Sequence, residues 1–184
     1  MLSNRKVAWL ITALVMITGT FLGSYVSFRQ LRAPVIAEFR DNVEPVLNEM
    51  ILLTQDMLSM YRLYATDNNE SQNFIQRVIW NIGFLQEEME LVRWVDSASW
   101  ILRQDVQELY QRSQSLELSE SNAALMSRLY ADLQEREMIL HQAPYNAMVL
   151  AYNNRTFEGL GFLTHNRFFE NIFPNHRRPQ SFLF

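Results

Sequence analysis

The chain has 184 residues, a net charge of −4 and no cysteine, which excludes disulfides, thiolate zinc sites and cysteine nucleophiles. The length has room for an anchor, one helical domain and a tail, with a single core. Residues 35–154 hold 18 acidic side chains against 8 Arg, a balance of −10, so this body repels nucleic acid along most of its length and no nucleic-acid partner is expected.

Residues 7–28 form an uncharged run of 22, long enough as one helix to cross a hydrocarbon core of roughly 30 Å. The expectation is an uncleaved transmembrane anchor, because the run exceeds a signal-peptide core and lacks a small-x-small cleavage site at its end. Trp9 and Tyr25 lie near its two ends, where amphipathic rings favour the headgroup level. Arg5 and Lys6 precede it while Arg29 and Arg32 follow it, so charge leaves its sidedness open. Gly19, Gly23 and Ser27 recur every four residues and bare one face for close approach of a second helix.

Ile36, Phe39, Val43, Val46, Met50, Leu53, Met57, Met60 and Tyr64 alternate in steps of three and four, the seam of a long helix in a bundle or coiled coil. Pro45 removes a backbone donor, so this helix should kink there or restart with Pro45 in its first turn. Asp67 to Ser71 supplies loop and N-cap chemistry. The next helix, opening near Ser71, carries Ile75, Val78, Ile82, Leu85, Met89 and Val92. A second stripe of Trp80, Phe84, Leu91 and Trp94 widens its apolar arc toward two neighbours. Asp96 to Ser99 either caps a new helix with Leu102, Val106 and Leu109 or lies inside one that runs through, the choice between four helices and three. Ser119 or Ser121 caps a final helix through Leu125, Leu129 and Leu133 to about Asn153, with a kink at Pro144. Glu108 with Arg112 and Asp132 with Arg136 are four-residue pairs expected on solvated faces.

Chemistry is sparse. A di-metal bundle site needs Glu-x-x-His on two helices, whereas Glu137 and His141 are four apart and His165 and His176 lie in the tail. Glu87, Glu88 and Glu90 flank Met89 and are read as an outer, solvated face. There is no phosphate loop and no serine triad pattern. No catalytic residue, metal or cofactor is expected.

From Arg155 onward the periodicity stops and aromatics crowd in, including Phe157, Phe162, Phe168, Phe169, Phe173, Phe182 and Phe184. Such a segment is too apolar to stay solvated and should dock on its own bundle, on a copy of itself or at the membrane surface, its own bundle being the simplest seat. Just before it, Tyr145, Val149 and Tyr152 share one stripe while Asn146 and Asn153 share the next, and buried Asn on a seam fixes register. This Tyr-Asn-x-x-Val-x-x-Tyr-Asn stretch, continued by Gly161-Phe162 and Phe168-Phe169-Glu170, resembles the LemA family of bacterial membrane proteins. Tyr25, Leu31-Arg32, Val35 and Phe39 are similar to that family's entry into its first helix. The chain departs from it at Asn48 to Leu53, where the family has a basic run and Leu-Ile-Pro-Asn-Leu. The resemblance implies a single-span protein with an extended helical bundle and no assigned catalytic residues.

The resulting expectation is an all-α protein: one N-terminal transmembrane helix at 7–28, a long antiparallel three- to four-helix bundle over 35–154, and an aromatic tail over 155–184. Its expected role is a scaffold or interaction protein of the cell membrane, in a bacterium the inner one, that self-associates without catalysis. Its partners would be lipid through the span, further copies and other membrane proteins. The alternative is an accessory subunit bracing a larger membrane complex. The candidate contact residues are Gly19, Gly23, Ser27, Trp80, Trp94, Tyr145, Asn146, Tyr152, Asn153, Phe168 and Phe169.

Overall fold

The structure, a computed structural model, describes residues 2–65, 68–92, 94–157 and 182, without the side chains of 2, 3, 21, 24, 25, 27, 28 and 155–157. Among the described residues every regular element is helical: α1 (Leu2–Glu38), a π-helical turn (Phe39–Val43), α2 (Glu44–Tyr64), α3 (Asn69–Leu91), α4 (Val95–Gln114), α5 (Glu120–Gln142) and α6 (Pro144–Phe157).

The first limb is one continuous rod from α1 through α2, and Pro34 lies inside it. Its π turn answers Pro45. A proline at that position cannot donate to the carbonyl four residues back, and its ring crowds that carbonyl. Widening the helix for five residues lets the Glu44 N–H bond the Phe39 carbonyl instead, and Pro45 falls in the first turn of α2. The expected restart is therefore present without a break in the rod.

Among the described residues no helix is long and apolar enough to cross a membrane, which corrects the transmembrane helix expected at 7–28. The unbroken stretch of described side chains in α1 runs from 4 to 20 and opens with Asn4, Arg5 and Lys6. That leaves Val7 to Thr20, about 21 Å of helix at about 1.5 Å per residue, short of a core of roughly 30 Å. The side chains at 21, 24, 25, 27 and 28, which complete the run in the sequence, lie outside the described residues.

The bundle has four limbs, which settles the choice between three and four. The α3 helix stops at Val92, a non-glycine residue in the left-handed region (φ 45°), and α4 starts at Val95 with no cap from its N-cap side chain, Trp94. Glu88 supplies the missing cap. Its Oε2 accepts the Trp94 N–H at 3.0 Å, and the side chain is only 1% exposed. Glu88 therefore does not belong to a solvated face; the corner turns back over it. At the other two corners, Asn68 Oδ1 accepts the Ser71 N–H at 2.8 Å and Ser119 Oγ accepts from Asn122 N.

Successive limbs run antiparallel. Tyr61 meets Phe74 edge-on across α2 and α3 at 5.7 Å, Tyr110 stacks on Tyr130 across α4 and α5 at 4.1 Å, and Arg136 of α5 pairs with Glu49 of α2 at 2.7 Å. Arg136 thus reaches across the bundle instead of pairing with Asp132 on its own helix. The core is one seam per limb: Leu47, Met57 and Leu58 from α2, Val78, Ile82 and Leu85 from α3, Leu102 and Leu109 from α4, and Met126, Leu133 and Leu140 from α5. Each such side chain contributes roughly 1.5–3 kcal/mol by leaving water. In α2 the buried line is Leu47, Ile51, Thr54, Leu58 and Tyr61 together with Met50 and Met57, whereas Val46 and Leu53 are only half-buried. The seam expected from the heptad is therefore one edge of a wider arc, because α2 touches α3, α4 and α5 at once. At the start of α5 it is Met126 that is buried, and Leu125 is exposed.

Candidate functional site

Two regions rise above packing: a notch where α5 turns into α6, and the apolar surfaces left uncovered on α1 and α3.

The notch begins with Pro144. A proline there cannot bond the Leu140 carbonyl, and the chain opens at Ala143 into an extended residue (φ −60°, ψ 135°) before α6 starts. Two carbonyls at the end of α5 then lack their helical donors. Asn146 replaces them: its Nδ2 donates to Leu140 O at 2.8 Å and to His141 O at 3.0 Å. Its Oδ1 accepts the Phe182 backbone N–H at 2.7 Å, and His141 Nδ1 donates to the Phe182 carbonyl at 2.7 Å, since a carbonyl only accepts. Both polar groups of Phe182 are thereby satisfied by side chains of the helix corner, and its ring enters the core, 2% exposed. There it lies 5.9 Å from the Tyr145 ring, which in turn lies 5.5 Å from Phe39.

Behind His141, Arg103 Nε pairs with Glu137 Oε1 at 2.7 Å, and the same carboxylate oxygen is 3.6 Å from His141 Nε2. Burial pushes the Tyr145 phenol well above its ordinary pKa despite the Arg32 charge, so at neutral pH it is no base. Burial likewise lowers Arg32 against the opposing pull of Tyr152 and Tyr145, and raises Asp96 against Arg103 and His141.

The acid-rich α3–α4 face is structural. Arg77 bonds Asp105 at 3.0 Å and also Glu108, Asn81 bonds the buried Asp105, and Arg112 joins Glu108 at 2.8 Å to Glu70 at 2.9 Å. Arg77 and Arg112 both lie over the Phe74 ring, at 5.0 and 4.8 Å. Burial pushes the Glu108 carboxyl up, but hydrogen bonds from both arginines outweigh it and hold it below its ordinary value. Carboxylates held in this way are not free to act as bases. Among the described residues no three His, Cys, Asp or Glu form a group that holds a metal ion.

The uncovered surfaces are extensive. On α1, Trp9 and Leu10 are 75% and 71% exposed, and Ile11, Leu14, Val15, Met16 and Ile17 are exposed with them. The hydroxyls of Thr12, Thr18 and Thr20 turn back onto the carbonyls of Ala8, Leu14 and Met16 at 2.8–2.9 Å, so this surface makes no demand on water. On α3, Trp80 is 67% exposed and stacks flat on Phe84 at 5.6 Å, with Leu91 and Trp94 also exposed. Of the second apolar stripe, Phe84 is half-buried against the core while Trp80, Leu91 and Trp94 remain exposed.

Of the residues singled out from sequence, Tyr145, Asn146 and Tyr152 are brought together and buried, with Asn153 half-buried beside them. Gly19 and Gly23 face open space, and Trp80 and Trp94 face outward. The side chain of Ser27 and the whole of Phe168 and Phe169 lie outside the described residues. Sequence reading missed His141 and Phe182 as partners of Asn146. The available signal was Pro144, which frees carbonyls that a nearby amide can satisfy. No protein-family model, curated protein or solved structure matches this chain.

Proposed function

We propose that the protein is a non-catalytic helical-bundle scaffold or interaction protein that self-associates and works at a cell membrane, in a bacterium the inner one, as a distant relative of the LemA family. The observation that carries this reading is the first third of the rod: from Val7 to Ile17 its apolar side chains are exposed on every side. A helix apolar all round has no face suited to water, and a surface of this extent marks a contact with protein or lipid. In the bundle behind it Glu49, Glu70, Asp105, Glu108 and Glu137 are held by arginines, which supports interaction over catalysis.

Replacing Leu10 and Leu14 with Asn tests the reading. The doubly substituted chain is expected to sediment as a smaller species than the parent and to lose flotation with vesicles of mixed neutral and anionic lipid. Unchanged sedimentation together with unchanged flotation overturns it. A second reading, an accessory subunit of a larger membrane complex, draws on the exposed Trp80–Phe84 stack with Leu91 and Trp94. It predicts that Trp80→Ser releases a co-purifying membrane protein while the chain's own oligomer persists.

A further inference from the structure

We propose that the notch at the α5–α6 corner is a recognition site for an extended, phenylalanine-bearing peptide, filled in this chain by its own Phe182 and open to the same segment of a second copy. The inference rests on the self-association reading for its source of ligand and supplies that reading with a contact.

The seat is built like a peptide site. Asn146 Oδ1 takes the N–H of one residue and His141 Nδ1 reaches its C=O, at 2.7 Å each. Both groups of a single residue are thus read, as a neighbouring strand would read them, while its side chain enters an aromatic pocket. Asn146 is itself fixed by two bonds to α5 carbonyls, so the acceptor is in place before Phe182 arrives. Such preorganisation lowers the ordering cost of binding.

The contacts that define the seat are made by Phe182 itself. The stretch that joins α6 to it, residues 158–181, has 24 residues and when extended spans at most about 80 Å, enough to reach a neighbouring copy. Contacts in the seat are identical whether Phe182 comes from the same chain or from the next, so concentration alone decides between them. A tether of this kind gives an effective concentration on the order of 1 mM, and exchange between copies takes over where chains are gathered more densely than that.

The test uses the full chain with Phe182→Ala, which takes the ring out of the pocket and so weakens the tail's own hold on the seat, and a labelled heptapeptide of residues 178–184 followed by fluorescence anisotropy. The peptide is expected to bind this variant roughly tenfold more tightly than it binds the native chain, whose own tail competes. The same peptide with Ala in place of its Phe182 is expected to show no binding. Equal affinity for both chains, or none for either, overturns the proposal. A second measurement keeps a ring in the seat: p-benzoylphenylalanine in place of Phe182 should cross-link within one chain in dilute solution and to a second chain as concentration rises. Cross-links that never reach residues 141–146 overturn the seat, and absence of two-chain products at any concentration overturns exchange. Because peptide binding needs no oligomer, its outcome is separate from the sedimentation behaviour that tests self-association.

Discussion

Asn146 shows how one side chain can hold a corner together. Replacing it with Ala removes the side-chain donor from the His141 carbonyl and the acceptor from the Phe182 N–H, while the Leu140 carbonyl keeps only the longer bond from the Ala143 N–H at 3.3 Å. An unsatisfied buried group costs about 1–3 kcal/mol, so the expected result is a lower urea midpoint with an unchanged slope. Asn146→Asp should be worse, because a carboxylate brings an acceptor to two carbonyls that need a donor. Glu108 makes the opposite kind of contribution. Its pKa is held below the ordinary 4.5 by Arg77 and Arg112, so its stabilisation is fully present above that value and is lost as pH falls through the lowered folded pKa. Thermal midpoints of the parent should therefore drop more steeply below about pH 4.5 than those of Glu108→Gln, which starts lower and changes less. Parallel pH profiles would show that the arginines do not discriminate the ionised form.

The elements divide into those whose ends are capped by neighbours in sequence and those capped from a distance. Asn68 and Ser119 act on amides three residues on, and such local caps are readable because the reach of a short side chain is fixed. Glu88 acts on Trp94 across a left-handed residue, which no fixed spacing announces. On α1, a Cβ at Gly19 or Gly23 meets no heavy atom within 4 Å, so the fold leaves this stripe open. Gly19→Leu with Gly23→Leu is accordingly expected to leave the unfolding midpoint in place, or raise it slightly through helix propensity, while lowering the oligomer population measured by sedimentation. Retention of the full oligomer would place the contact on another face of α1.

The molecule as a whole is a four-limbed bundle whose first limb overshoots its partners at the end occupied by α1, and whose last limb, through α6, packs against the base of that overshoot. Phe182 secures this junction, since Phe182 and Tyr145 continue the core from Phe39 of the first limb. Deleting residues 164–184 should open the pocket beside Tyr145 and remove a buried ring, whose truncation alone costs about 3–5 kcal/mol. Earlier proteolysis within α6 and a lower thermal midpoint are expected. A truncated chain with the parent's midpoint and protease resistance would mean that Phe182 contributes nothing to the bundle.

By itself the sequence determined the helical class, a limb opening near Ser71 that the structure starts at Asn69, the restart at Pro45, the interruption at Pro144 and the shared stripe of Tyr145, Val149 and Tyr152. Each of these follows from a local rule: helical periodicity, the missing N–H of proline, or the short reach of a cap. It suggested a membrane-crossing helix at 7–28, which the described residues do not carry, and a second stripe on α3 reaching a further neighbour, of which only Phe84 meets the core while Trp80, Leu91 and Trp94 stay exposed. Only the tertiary structure decided those outcomes, because an apolar run specifies a demand for cover without specifying what covers it. The same holds for Asn146, whose polarity was legible as a structural signal while its partners were not. Leu140, His141 and Phe182 reach it through a helix break and a return of the chain from 36 residues away, and periodicity carries no information across such a gap.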